Sequence, residues 1–239
     1  MYKKEDLRKL ENTDREFYGI FSRFAFEEAA KQSGLDDKTA SVVILASLTA
    51  QNVRGGMFGA AVSSCLDAGV SPDEIKETVY HCAPYCGAAR IWTALEEVNL
   101  VFEGKGVSAD TAADRTVSEE DRFAAGLAAQ KSIFGDVIDK NRADAPEGQK
   151  HIQDFLSANC FGDFYTRKRL DLKMRELITF TVIISIGGCE AQAKGHAMGN
   201  AAVGNGKDVL VGAVTLLVPY IGYPRSLNAL ACVNAVLKD

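Results

Sequence analysis

An internal repeat is the strongest constraint on this chain of 239 residues. Residues 35–102 laid over 170–237, at a constant offset of 135 and without gaps, give 15 identities in 68 positions. The identities cluster. Leu35-Asp36-x-Lys38 matches Leu170-Asp171-x-Lys173, and Gly69-x3-Asp73 matches Gly204-x3-Asp208. Pro84-Tyr85-x-Gly87-x2-Arg90 matches Pro219-Tyr220-x-Gly222-x2-Arg225, and Ala94-Leu95 matches Ala229-Leu230. Such a distribution marks a duplicated structural unit.

Each unit parses into four helices. The first spans about 36–51 and 171–186, and the second about 56–68 and 189–203. After a glycine turn the third covers 71–82 and 207–218, with Ser71 as N-cap and Pro72 at the first helical position. A Pro-Tyr-x-Gly kink precedes the last, at 88–102 and 224–237. The run Val182-Ile183-Ile184 is β-branched, but its unbroken apolar length without alternation favours a buried helix, and no strand is expected. Ahead of the first unit, Thr13-Asp14-Arg15-Glu16 has capping-box form, Phe17, Ile20, Phe21 and Phe24 follow at helical spacing, and Gly34 ends the helix. Between the units, residues 103–116 read as a linker. Ser118-Glu119-Glu120-Asp121 caps a helix through Phe123, Leu127 and Gln130, and another helix covers about 150–159 with Ile152, Phe155 and Leu156 on its buried side. The expected organisation is all-α: an N-terminal helical arm (1–34), a first repeat (35–103), a linker and helical connector (104–169) and a second repeat (170–239).

Charge narrows the partners. A net charge of −5 with a pI near 5.4 lacks the basic patch that a nucleic-acid partner requires. The start, Met1-Tyr2-Lys3-Lys4-Glu5-Asp6, carries no apolar segment behind its positive charges. The longest charge-free run, 209–224, is shorter than a membrane helix and is broken by Pro and Gly. The expectation is a cytoplasmic protein with no membrane partner, whose six cysteines are mostly reduced.

One stretch gathers capable side chains. Arg175-Glu176-Leu177 opens an apolar helix, Gly187-Gly188 turns the chain, and Cys189, Gln192 and His196 follow. On one helix those three lie within about 60° of each other, but Cys189 and His196 are separated by about 10 Å of rise. Folding back about the Gly-Gly turn brings Glu176 opposite about residues 196–199, so Glu176 and His196 are expected partners in proton transfer. A structural hydrogen bond is the alternative for that pair, and core packing is the alternative for Cys189. The first repeat carries Ser41, Arg54, Met57 and Ala61 at the positions of Glu176, Cys189, Gln192 and His196. One site per chain is expected, with the first repeat as its packing partner.

Other candidates are weaker. Cys82, Cys86 and His81 lack a fourth ligand and read as core; no metal site is expected. Cys160 follows the helix end at Asn159 and is a candidate to approach Cys189. His151 reads as solvated or capping. Arg90 and Arg225 read as structural ion-pairing residues, or Arg225 as a ligand for a substrate carboxylate.

The second repeat, Arg175-Glu176-Leu177 … Gly187-Gly188-Cys189-Glu190-x-Gln192-x3-His196 … Val218-Pro219-Tyr220-Ile221-Gly222-Tyr223-Pro224-Arg225-x-Leu227-Asn228-Ala229-Leu230, resembles the carboxymuconolactone decarboxylase family. Ala83-Pro84-Tyr85-x-Gly87, Gln130-Lys131-Ser132-Ile133-Phe134-Gly135 and Asn159-Cys160-Phe161-Gly162-Asp163-Phe164-Tyr165-Thr166-Arg167 are similar to its two-repeat branch. That resemblance implies the alkylhydroperoxidase-like helical fold and a homotrimer of two-repeat chains. It also implies one of two chemistries. Decarboxylase members convert 4-carboxymuconolactone to 3-oxoadipate enol-lactone without a cofactor. Peroxidase-type members use a Glu, a Cys-x-x-Cys pair and a His; here Cys189 and His196 match, and Gln192 replaces the second cysteine.

Three functional expectations follow. The first is a cofactor-independent decarboxylase of a small carboxylated lactone, with Glu176 and His196 as acid–base pair and with Gln192 and Arg225 holding substrate oxygens. The second is a thiol-dependent reductase of hydroperoxides or disulfides acting through Cys189, with Cys160 as resolving partner. The third is a non-catalytic binding or scaffold protein.

Overall fold

A computed structural model describes residues 8–111 and 114–238. Among them every regular element is helical, and the paired repeats pack as tandem helical units. The cores of the two units are the helices Asp37–Ala50 and Leu172–Ile186, each with eleven buried residues. Both start the same way. Asp36 accepts from the Thr39 amide at 2.9 Å, and Asp171 accepts from the Met174 amide at 2.8 Å. The Thr39 amide holds the Asp36 carboxyl below its ordinary value. The two helices pack on each other, with Ser47 and Ser185 bonded at 2.8 Å inside the apolar contact. Leu45, Phe58, Ile75, Phe180 and Leu217 are sealed from solvent, and each contributes about 1.5–3 kcal/mol by its burial.

The second helices, Gly56–Asp67 and Glu190–Ala202, fold back against the first. Ser71 and Glu74 form a full capping box at the third helix, Pro72–His81. The Pro-Tyr-x-Gly kinks are conformational twins: Gly87 adopts φ 83°, ψ 150° and Gly222 φ 78°, ψ 163°. In the first repeat the kink separates Ala83–Cys86 from Ala88–Lys105. In the second repeat the kink at Gly222 falls within Lys207–Val236 and parts that element into two helices, as expected. That element passes a length-and-composition test for a membrane span, but Leu210, Val214, Leu217 and Val233 are buried in the core.

Several expectations are corrected. Asp14 sits at the N-cap of Arg15–Ser22, but its side chain caps nothing; it accepts instead from the Thr13 hydroxyl at 2.7 Å. The helix expected to end at Asn159 runs on as a π-helix, Leu156–Tyr165, which turns a different set of side chains inward. Ile152, Phe155 and Leu156, expected on a buried side, are exposed in the single chain. Arg90 makes no ion pair among the described residues: it donates to the Ala50 carbonyl, closing the C-terminus of its repeat's first helix.

The arm and the connector carry a continuation of the repeat. A second π-helix, Arg23–Ala29, falls within the first when shifted by the same offset, and Ser22, which precedes it, and its counterpart Ser157 are both buried. Gly34 and Arg169, also 135 apart, both adopt left-handed backbone, at φ 66° and φ 76°. For Arg169 that conformation costs about 1–2 kcal/mol, and ion pairs to Asp114 at 2.8 Å and Asp73 at 3.2 Å hold it. The connector helices Arg122–Phe134 and Leu156–Tyr165 touch backbone to backbone. A Cβ at Gly126 would run into the Ser157 carbonyl and the Gly162 amide, and one at Gly162 would run into the Arg122 carbonyl.

Candidate active site

Glu176 lies in the second turn of Leu172–Ile186 and is wholly buried. Burying a carboxylate is costly unless its oxygens are satisfied, and both are. Oε2 accepts from His196 Nδ1 at 2.9 Å, and Oε1 accepts from the Tyr165 hydroxyl at 2.6 Å. The fold-back expected from sequence thus brings Glu176 and His196 together. His196 retains 14% side-chain exposure, and its Nε2 has no protein partner among the described residues. The imidazole is held by edge contacts, Phe134 at 5.4 Å and Tyr85 at 5.6 Å between ring centroids, both near perpendicular. Asn200 ties the two helices together, donating to the Glu176 carbonyl at 2.9 Å and the His196 carbonyl at 2.7 Å. Gly199 makes room: a Cβ there would stand 2.5 Å from Glu176 Oε2 and 2.8 Å from the Phe134 ring.

Around this pair lies a buried polar cluster drawn from three parts of the chain. Tyr165 of the connector bonds Thr179 and Tyr85, each at 2.9 Å. The Cys160 thiol donates to Tyr85 at 3.5 Å, and burial pushes it up to about 12, so it stays a thiol. Burial likewise pushes both tyrosine phenols well above their ordinary range. His81 of the first repeat faces this cluster. Its Nε2 lies 3.1 Å from both Thr179 Oγ1 and the Arg175 carbonyl. Arg175, fully buried, bonds the carbonyls of Arg167 at 2.7 Å and Lys168 at 3.0 Å and lies 3.6 Å from Glu77. Arg167 completes the link to Glu77 at 2.5 Å. Removing one partner of so buried an ion pair costs about 3–5 kcal/mol.

The other candidates fall elsewhere. The geometry of Cys189 departs from expectation. Gly187 and Gly188 both have positive φ, so the helix starts at Glu190 and Cys189 is its N-cap rather than a member of its face. Cys189 lines a cavity of about 250 Å³ together with Arg225, Asn228 and Cys232, and neither Glu176, Gln192 nor His196 borders it. Arg225 lies over the Gly-Gly turn, where a Cβ on Gly187 would be 3.2 Å from its Nε, and it forms no ion pair among the described residues. Gln192 is exposed on the first turn of its helix. Cys160 is engaged with Tyr85. Cys82 is buried core, donating to the Thr78 carbonyl, and Cys86 donates to the Cys82 carbonyl. His151 is exposed, as expected. No cluster of three or more His, Cys, Asp or Glu suited to a metal occurs among the described residues.

Tyr165, Tyr85, Thr179, Asn200 and Gly199 were not singled out from sequence. Tyr85 had a visible signal in the duplicated Pro-Tyr-x-Gly, and Tyr165 had its place in the quoted stretch 159–167; Thr179, Asn200 and Gly199 had none.

Comparison with known proteins agrees with this architecture. The description "Carboxymuconolactone decarboxylase family" applies to matches over residues 15–99 and 150–235, two regions that together cover more than half the chain. The 4-carboxymuconolactone decarboxylase of Acinetobacter baylyi (strain ATCC 33305 / BD413 / ADP1) is 31% identical over 102 residues, 43% of this chain and 75% of that protein. With two matched regions on an all-helical tandem fold, the chain belongs to the carboxymuconolactone decarboxylase family.

Proposed function

We propose that this protein is a cofactor-independent decarboxylase of a small carboxylated lactone, with Glu176 and His196 as its proton-handling pair. The observation that carries this reading is the 2.9 Å bond between Glu176 Oε2 and His196 Nδ1 inside an otherwise sealed polar cluster. A carboxylate on Nδ1 leaves Nε2 as the nitrogen that exchanges protons with a ligand. In the reaction the bond from the ring carbon to the carboxylate breaks, carbon dioxide leaves, and the electron pair delocalises toward the lactone carbonyl. Protonated on both nitrogens, His196 gives its Nε2 proton to the carbanion left by carbon dioxide and is itself left as the Nδ1–H imidazole on Glu176, while the apolar edges of Phe134 and Tyr85 exclude water from the ring. Arg225 lines the separate Cys189 cavity, which neither His196 nor Gln192 borders, so the expected roles of Arg225 and Gln192 in holding substrate oxygens are not carried into this reading. The test is turnover of 4-carboxymuconolactone by His196→Ala. Loss of turnover is expected; unchanged turnover overturns the reading.

A second reading is favoured by a separate observation, the shared cavity of Cys189, Cys232 and Arg225. There Cys189 attacks a hydroperoxide, forming a sulfenic acid and an alcohol, and a second thiol displaces water to give a disulfide. Mapping disulfides after peroxide treatment tests it; no link from Cys189 and no peroxide consumption dispose of it. A non-catalytic scaffold is the less favoured reading because Cys189 borders a cavity and His196 reaches the surface. The chain is further proposed to form a homotrimer, in which Trp92, Leu100, Tyr223 and Leu227, each over 60% exposed in the single chain, become buried. Light scattering in solution reads the mass, and a monomer overturns it.

A further inference from the structure

We propose that Tyr165 is a positioning residue for the Glu176–His196 pair, and that Tyr85 of the first repeat supports it, so the reacting imidazole is fixed by a one-way chain of hydrogen-bond donors. This rests on the reading of Glu176–His196 as the reacting pair.

The direction of each bond follows from which groups can only donate or only accept. Arg175 has no acceptor, so His81 Nδ1, 3.3 Å from Arg175 Nη1, must accept. His81 therefore carries its proton on Nε2, which suits the Arg175 carbonyl, an acceptor only. The same N–H reaches Thr179 Oγ1 at 3.1 Å, which leaves the Thr179 hydroxyl to donate to Tyr165 at 2.9 Å. From the other side Cys160 donates to Tyr85, and Tyr85 donates to Tyr165. Tyr165 thus receives two donors, filling both lone pairs, and has one place to send its own proton: Glu176 Oε1, at 2.6 Å. Both branches end on the carboxylate. Glu176 must then accept from His196 as well, which places the imidazole proton on Nδ1 and the lone pair on Nε2. Phenols that burial keeps protonated serve as lasting donors.

Without the Tyr165 hydroxyl, Oε1 of a wholly buried carboxylate loses its partner. The carboxylate then rotates toward the stranded hydroxyls of Thr179 and Tyr85, and its hold on His196 Nδ1 loosens. Tyr165 does not touch a ligand; it acts through Glu176.

The test is Tyr165→Phe, which keeps the ring stacked on Phe161 at 4.4 Å. Nitrogen-15 spectra of the imidazole, followed to alkaline pH, report the tautomer directly. Wild type is expected to show His196 as the Nδ1–H form, and the variant a mixture of Nδ1–H and Nε2–H. With 4-carboxymuconolactone, kcat should fall about 10- to 100-fold with KM little changed. A folded variant with an unaltered tautomer overturns the proposal. If Tyr165→Phe fails to fold, Tyr85→Phe decides: it removes one donor to Tyr165 and should produce the same changes, smaller. An unaltered spectrum there also overturns it. The spectroscopic readout needs no substrate, so it stands or falls separately from the decarboxylase reading, which His196→Ala turnover decides.

Discussion

Two copies of one helical unit lie side by side in this molecule, and the buried acid–imidazole pair stands in the second. Where the second repeat has Glu176 and His196, the first has Ser41 and Ala61. Ser41 bonds back to its own helix at the Lys38 carbonyl, 2.9 Å away, and Ala61 is core. The divergence spreads outward from there. Tyr85 meets the edge of the imidazole, while its counterpart Tyr220 meets the edge of Phe21 at 5.9 Å. At the position equivalent to Tyr165 stands Ala30, buried and without a hydroxyl. A buried acid needs donors, and donors need the acid; lose one and the rest have no reason to remain polar. The exchange is also unequal. The first repeat lends Tyr85 and His81 to its neighbour's site, whereas Tyr220 meets an aromatic wall.

Rewriting the second repeat as the first gives the largest effect. Glu176→Ser with His196→Ala should lower decarboxylation about 10²–10⁴-fold with helix content retained in circular dichroism; activity within tenfold of wild type would break the contrast. Next comes Gly199→Ala, whose methyl meets Glu176 and Phe134. Turnover should fall about 10²-fold, and urea titration should show about 1–3 kcal/mol less stability. Ser64→Ala at the equivalent position of the first repeat should leave turnover unchanged. A smaller effect concerns His81, which burial and then the Arg175 guanidinium hold well below its ordinary pKa. The unfolded chain takes up a proton near pH 6.5 that the folded chain refuses. Its contribution is flat above about pH 6.5 and falls by up to ~1.4 kcal/mol per pH unit below it. Urea midpoints from pH 7.5 to 5 should show that slope, and His81→Gln should flatten it; an equal slope in both would sink the assignment. The smallest effect is a null one. Placing Ser41→Glu and Ala61→His together on the His196→Ala background should restore no turnover, because Ala30 offers no hydroxyl to the new acid.

Much of this was legible in the sequence, for reasons that can be named. Period and duplication located the helices, since long apolar runs bounded by Ser71-Pro72 or Gly34 leave few other solutions. Counting residues back from Gly187-Gly188 sufficed to pair Glu176 with His196. The same counting failed one residue later, because two positive-φ glycines delay the helix and leave Cys189 outside it. Tyr165 was hidden by its helix type. A period of 3.6 applied to residues 150–159 points Ile152 and Phe155 inward and stops short of Tyr165, whereas the π-helical stretch swings Cys160, Phe161 and Tyr165 to the inside. Gly199 was silent because nothing in a helix interior announces that a glycine is there for the sake of another residue's oxygen.

The contact at Gly126 and Gly162 has a consequence for how such a chain is free to vary. There the two connector helices meet main chain to main chain, so neither position tolerates even a methyl group. Tyr165 is three residues beyond Gly162, on the same helical stretch. Drift at either glycine would therefore move the hydroxyl that reaches Glu176 without altering any residue near the imidazole. Among natural variants of this protein, loss of these two glycines should coincide with loss of the acid, as two ends of one inheritance.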